Sequence, residues 1–307
     1  MRERKEPGFS GLVLLDKQPG LTSFQALNQV KKIFSTGKVG HTGTLDKFAS
    51  GLLLILVGRA VKLAPWFSSC DKYYSARIRF GFETATLDPE GETVAEALPP
   101  SRDALEEALL KFRGEILQAP PAYSAIHVNG VRSYELARSG VQVEPEKRPV
   151  TIYSLDLDSW DPPFAQISVH CSKGAYIRSL ARDLALEAGS RAHLSNLKRT
   201  GISLFRLEDA VLPENLSEDV LKPISPAVFQ ALKLPVLEAD GRTAASLALG
   251  AALTPLLDSL RFSGGAGLPA SGLAENAAGI FDENGNFIAV ITQENGRWVY
   301  GYVYARN

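Results

Sequence analysis

The sequence predicts an α+β protein with a mixed, largely antiparallel sheet, followed by a small β-rich second domain. Three observations carry this reading. Strand-like and helix-like segments are interspersed through the first two thirds of the chain without a steady βαβ rhythm, which disfavours a doubly wound parallel sheet. Several segments alternate apolar and polar residues with a period of two, the pattern of half-buried strands. From about Leu234 the text changes to glycine-rich turns and short apolar runs, after Pro213, Pro223 and Pro226 have punctuated the chain. At 307 residues there is room for two domains, and the expected division is 1–230 and 231–307.

The elements follow in order. Gly11 to Lys17 reads as a short buried strand that Pro19-Gly20 ends with a turn. Thr22 or Ser23 can cap a helix that places Phe24, Leu27, Val30 and Phe34 on one face. A glycine-punctuated loop from Gly37 to Asp46 precedes the apolar run Leu52 to Val57. Tyr73 to Phe82 alternates, with Tyr74, Ala76, Ile78 and Phe80 on one side and Ser75, Arg77 and Arg79 on the other. Leu105, Ala108, Leu109 and Phe112 mark a helix. Ala165 to Cys171 is another alternating strand, and 176–188 reads as a helix. Near the C-terminus, Gly279 to Val290 reads as a hairpin, and a strand ends in Val299 to Tyr304.

Composition narrows the class. Apolar residues are 45% and charged residues 22%, ordinary for a globular protein with a real core. The charged N-terminus is not followed by an apolar signal core, and the purest apolar run, six residues from Leu52, is far short of the ~20 needed to span a bilayer. The two cysteines, Cys70 and Cys171, make neither a disulfide framework nor a zinc site, so a cytoplasmic address is expected. Net charge is −1, yet the charges are segregated. Residues 28–64 hold six basic residues and one acid, Asp46, while residues 170–206 hold seven bases and two acids. Residues 83–107 hold eight acids and one base. Basic stretches on a neutral chain suit a phosphate-binding face, or else solvated helix surfaces.

Residues 38–51, KVGHTGTLDKFASG, are the most informative stretch. Three glycines and two threonines surround one carboxylate, leaving a loop of little bulk that a ligand can approach. Nearby cations favour the ionised form of Asp46, which could then serve as nucleophile or base, or merely cap the next turn. A phosphate-cradling reading of the glycines is weaker, because the Gly-Lys-Ser/Thr ending of a P-loop is absent.

The segment GHTGTLD with the following Ala49-x-Gly51-x-Leu53 resembles the signature of the TruB family, the tRNA pseudouridine(55) synthases. Three further blocks resemble it in order: Lys72-Tyr-Tyr74 leading to Phe80-Gly81; Pro120-Pro-Ala-Tyr-Ser-Ala125 with Asn129 to Arg138; and Cys171 to Arg178 followed by Leu197-Lys-Arg-Thr200. Together they span about residues 11–205. The resemblance implies a pseudouridine synthase core and a PUA-like C-terminal domain. It also implies that Asp46 is the catalytic aspartate and Tyr74 the tyrosine that stacks on the target uracil. Arg178 would pair with the catalytic carboxylate, Tyr176 and Leu197 would line the uracil pocket, and His41 would enter the T loop. The expected partner is the T arm of tRNA, bound by a monomer that uses neither cofactor nor metal. Attack at C6 of uracil and attack at C1′ of the ribose both remain open.

The chain departs from the family text in three places. Lys47 follows the catalytic Asp where proline is usual, Ile126-His127 replaces a common lysine, and Thr84-Ala-Thr-Leu-Asp88 lacks the first aspartate of TDTxD. His127, His170 and His193 have no metal-ligand spacing and read as structural or RNA-contacting, with His193 in a basic helix-loop region. Two other readings stand beside the enzyme: an RNA-folding factor whose turnover is secondary, and a metal-dependent hydrolase using Asp46 and His41. Relatives guided by RNA share the core motifs; the compact chain favours a stand-alone form.

Overall fold

The computed structural model describes residues 9–304 apart from 125, 129, 140, 142–144 and 263–276. Parts of the second block carrying the resemblance, and the Gly/Ala/Ser-rich stretch, therefore lie outside the described residues, as do residues 1–8.

A nine-stranded sheet forms the larger part of the molecule. Its main path runs through Gly11–Lys17, Ser50–Val57, Ala192–Ile202, Lys72–Phe80, Phe164–Cys171, Arg148–Asp161 and Gly114–Gln118. Among the described residues, every pairing between its strands is antiparallel except one. Ser50–Val57 and Ala192–Ile202 run parallel, with Arg199 opposite Gly51. A five-stranded, mostly antiparallel sheet from Val236–Ala239 to Arg297–Val303 makes the C-terminal region. The α+β class and the mixed, largely antiparallel sheet are as the sequence predicts.

The purity of the Leu52–Val57 run has a packing cause. Val13, Leu15, Leu53, Ile55 and Val57 point to one side, where helix Ser23–Ile33 covers them with Ala26, Leu27 and Val30. Leu12, Leu14, Leu52, Leu54 and Leu56 point to the other side, into a cluster shared with Phe229, Phe281, Phe287 and Val290 of the C-terminal region. A strand covered on both faces needs apolar residues at every position. The centre of the large sheet is covered instead by helices Arg102–Lys111 and Ile177–Glu187, through Leu105, Leu109, Leu180 and Leu184. In the C-terminal region Gly279 is required, since a Cβ there would lie 2.5 Å from the ring of Phe229.

Helix Ser23–Ile33 begins with a capping box: Thr22 accepts from the Gln25 N–H while Gln25 accepts from the Thr22 N–H. Such a cap contributes ~1 kcal/mol. Two predictions need correction. Phe24 is 64% exposed with Lys31 over its ring, so the buried face is Ser23, Ala26, Leu27 and Val30. Residues 192–202 form a strand, not a helix-loop region, and His193 is buried with its Nδ1 2.8 Å from the Phe82 carbonyl. The loop from Gly37 also contains a short strand, Val39–His41, on the edge of Ser50–Val57. Among the described residues no helix is long and apolar enough to cross a membrane.

Candidate active site

Asp46 ends a loop that four separate elements hold in place. The buried hydroxyl of Ser23, at the start of its helix, donates to the Leu45 carbonyl and accepts from the Leu45 N–H, at 3.0 and 2.8 Å. The Gly20 N–H donates to the Lys47 carbonyl, and the Thr42 N–H to the Leu54 carbonyl. Arg199, 1% exposed, reaches from its strand to the carbonyls of Leu52, Gly43 and Thr44 at 2.8, 3.1 and 3.4 Å. This bracing depends on the parallel strand contact. Gly51 has φ +103° and lies so close to Arg199 that a Cβ would sit 2.3 Å from the Arg199 carbonyl oxygen. Glycine alone fits both demands.

Arg178 occupies the second position of helix Ile177–Glu187 and turns inward, although an arginine on a helix is ordinarily at the surface. Its Nη2 donates to Asp46 Oδ1 at 3.2 Å, and its Nε lies 2.9 Å from Asp46 Oδ2 in an ion pair not aligned as a hydrogen bond. On its other side Nη1 donates to the Thr86 carbonyl at 2.9 Å and lies 3.5 Å from the buried Asp88 carboxylate. Nη2 also donates to the Tyr123 carbonyl at 3.0 Å. One guanidinium thus joins two carboxylates and two backbone segments. The loop lacking the first aspartate of the family text still closes, because the Thr84 hydroxyl donates to the Asp88 carbonyl and accepts from its N–H. Lys47 pairs with Glu90 at 3.3 Å rather than with Asp46.

Above this ion pair lies a cavity of about 590 Å³, lined by Asp46, Tyr74, Tyr123, Tyr176, Arg178 and Leu197 among others. Tyr74 lies on the central strand opposite Arg199, and burial pushes its phenol pKa up, with the positive charge of Arg199 opposing that rise. Tyr176 is clamped by its backbone: its N–H donates to Gln118 Oε1 at 2.7 Å, and Gln118 Nε2 donates to its carbonyl at 3.1 Å. The predicted residues Asp46, Tyr74, Arg178, Tyr176 and Leu197 therefore converge. His41 does not line this cavity; it precedes Thr42 and Gly43, which do, and its Nδ1 is buried without a hydrogen-bond partner. Burial first, and Arg199 second, lower the His41 pKa and keep the ring neutral.

The electrostatics of Asp46 differ from the sequence expectation. Burial raises its pKa, and the attraction of Arg178 only partly opposes that; Asp88 adds to the rise and Lys17 opposes it. Two lysines near the site are themselves perturbed. Lys17 and Lys72 are both lowered to about 8, mainly by burial. Lys17 donates to the carbonyls of Gln18 and Leu21, and Lys72 to those of Ser68 and Cys70. The basic stretches read from the sequence are thus not one outer face. Arg178 and Arg199 serve the interior, and Arg191 and Arg182 pair with Glu83 and Asp183.

Sequence reasoning gave Lys17, Asp88, Gln118 and Arg199 no role in the site, although Asp88 and Arg199 lie in segments compared with the family text. Arg199 had a visible signal, since it shares the inward phase of its strand with Leu197 and Gly201. Gln118 had none.

Residues 31–177 match the TruB family pseudouridylate synthase N-terminal domain. A protein of Borreliella burgdorferi named tRNA pseudouridine synthase B is 48% identical over 68% of this chain and 75% of its own length. Its namesake in Clostridium kluyveri is 44% identical over 71% of this chain and 76% of its own. The Corynebacterium diphtheriae protein of that name is 41% identical over 80% and 85%. Among solved structures, a chain of a Cbf5-Nop10-Gar1 complex superposes with TM-score 0.70 at 21% identity, over 97% of this chain and 84% of that one, which shows a shared fold. With this degree of identity over two thirds of its length, the chain belongs to the TruB family of pseudouridylate synthases and is an isomerase.

Proposed function

We propose that the protein converts uridine to pseudouridine in the T loop of tRNA, at position 55, with Asp46 as covalent nucleophile on a flipped-out base. The observation that carries the reading is the Arg178-held Asp46 carboxylate at the floor of a cavity walled by Tyr74, Tyr176 and Leu197. The relatives' shared name, tRNA pseudouridine synthase B, supports tRNA as substrate.

Chemistry at C5 and C1′ of a stacked nucleotide requires its extrusion, which costs a few kcal/mol. A single aromatic stack returns ~1–3 kcal/mol. Tyr74 supplies that stack on the uracil, while His41, just outside the cavity, occupies the space the base leaves. Asp46 adds to C6 of the ring or to C1′ of the ribose, and the N1–C1′ bond breaks. The base turns, C5 bonds to C1′, the C5 proton leaves past the Tyr74 hydroxyl, and the bond to Asp46 breaks. No atom is gained or lost overall. Arg178 favours the carboxylate over the carboxylic acid against the effect of burial, and so keeps the nucleophile in its reactive form. Residues 1–230 carry this chemistry, and 231–307 act as a PUA-like domain toward the rest of the tRNA.

The test is to incubate the protein with an unmodified tRNA transcript and locate pseudouridine in the digested product. A single new pseudouridine in the T loop is expected. Pseudouridine elsewhere, with the T loop unchanged, would overturn the assignment of position.

A further inference from the structure

A second cavity, about 620 Å³, adjoins the first and shares Ser172 with it. Its walls include Asp71, Tyr153, His170 and Lys173 from the large sheet and its connections, and Lys233 from the segment leading to the C-terminal sheet. A column of planar groups reaches its wall at His170 and Tyr153. The Arg206 guanidinium lies 5.0 Å from the Tyr73 ring centre; Tyr73 stacks on His170 at 4.0 Å and 9°; Tyr153 lies 4.7 Å from His170 at 44°. The His170 ring is fixed from the side, with Nε2 2.7 Å from Asp71 Oδ2, and Lys233 Nζ lies 3.2 Å from the same oxygen. Tyr153 closes the column at the surface, 54% exposed.

An exposed aromatic ring held by a rigid stack, with ammonium groups beside it, is how proteins bind single-stranded nucleic acid without reading its sequence. The sign of the charge agrees: the cavity is lined by two ammonium groups, Lys173 and Lys233, and one carboxylate, Asp71. We propose that this cavity is a subsite for a nucleotide adjoining the target uridine, whose base stacks on Tyr153 while its phosphate meets Lys173 and Lys233. The proposal rests on the RNA-modifying reading of the first cavity, because a strand with one nucleotide extruded there must pass Ser172. The subsite spans the large sheet and the lead into the C-terminal region, so its occupant orders both.

The test measures the affinity of the full-length protein for a T-arm hairpin RNA, and its single-turnover rate at saturating RNA. Wild type is compared with Tyr153→Ala, Tyr153→Phe and Lys173→Ala, with thermal melting as the check on folding. Tyr153→Ala is expected to weaken binding about tenfold, with the saturated rate unchanged, whereas Tyr153→Phe retains wild-type affinity because the stacking face remains. Lys173→Ala is expected to reduce the slope of log affinity against log salt by about 0.7, the loss of one single-strand phosphate contact. Wild-type affinity and salt slope in Tyr153→Ala and Lys173→Ala, with wild type active, would overturn the subsite and leave the proposed function standing. If wild type binds the hairpin without forming pseudouridine, the proposed function fails, while a Tyr153-dependent affinity would still uphold the subsite. No binding by wild type would overturn both.

Discussion

The two sheets of this molecule are filled in different ways. The C-terminal sheet packs Leu237, Ala239, Leu247, Ile280, Ile288 and Ile291 into an apolar core. In the region of the nine-stranded sheet four basic side chains are buried, Lys17, Lys72, Arg178 and Arg199, the last three of them lining the cavity. Burying an ammonium or guanidinium is costly unless it is bonded, and each of these spends its donors on backbone carbonyls or carboxylates. The comparison shows where stability has been given up for function: the apolar sheet holds the molecule together, while the polar centre holds one carboxylate in one place.

That contrast can be broken by substitutions, taken here from the largest expected loss of stability downward. Arg199→Leu strips a charged donor from the buried Leu52 carbonyl and the part-buried Gly43 and Thr44 carbonyls, where a buried polar group left unsatisfied costs ~1–3 kcal/mol. Urea unfolding is expected to show more than about 3 kcal/mol lost, with activity gone, because the loop bearing Asp46 loses its brace. Ile280→Ala in the apolar sheet is expected to cost about 3 kcal/mol. Its turnover per folded molecule should stay at the wild-type value, and a matching loss of turnover would mean that the two regions are not separable. Gly51→Ala forces a Cβ against the Arg199 backbone at a positive φ, with an expected cost of about 2 kcal/mol and a visible loss of rate.

A smaller effect on stability, but a diagnostic one, comes from pH. The folded pKa of Asp46 lies above its unfolded value, so its ionisation disfavours folding, and the stability it withholds is lost as pH rises through that interval. The single-turnover rate should therefore fall on the acid side at a pH above the ordinary aspartate range. Arg178→Gln removes the main opposing charge and should move that limb up by about 1–3 units. An unmoved limb would mean that another group sets it.

Much of this architecture was legible because local patterns determine it. Alternation in Tyr73 to Phe80 and in Ala165 to Cys171 gave two central strands, and glycines around Asp46 gave the loop. The meeting of Asp46, Tyr74, Tyr176, Arg178 and Leu197 came from resemblance, since no local pattern joins residues 132 positions apart. The braces were not legible for the same reason. Arg199 bonds to Leu52 across 147 positions, and Gln118 holds Tyr176 across 58. The error at Phe24 has a different origin: a helix face was assigned by apolarity alone, whereas Phe24 lies under Lys31 on the solvent side. Segregated charge also misled in part, because sequence cannot separate an arginine that meets phosphate from one that holds a loop.

The measurement that bears most directly on the central claim is tritium release from an RNA labelled at uracil C5, comparing wild type with Asp46→Asn in buffer containing a chelator. Joining C5 to C1′ must expel that hydrogen. The account predicts release by wild type and none by a folded Asp46→Asn protein. Release by a folded Asp46→Asn protein at the wild-type rate would contradict it.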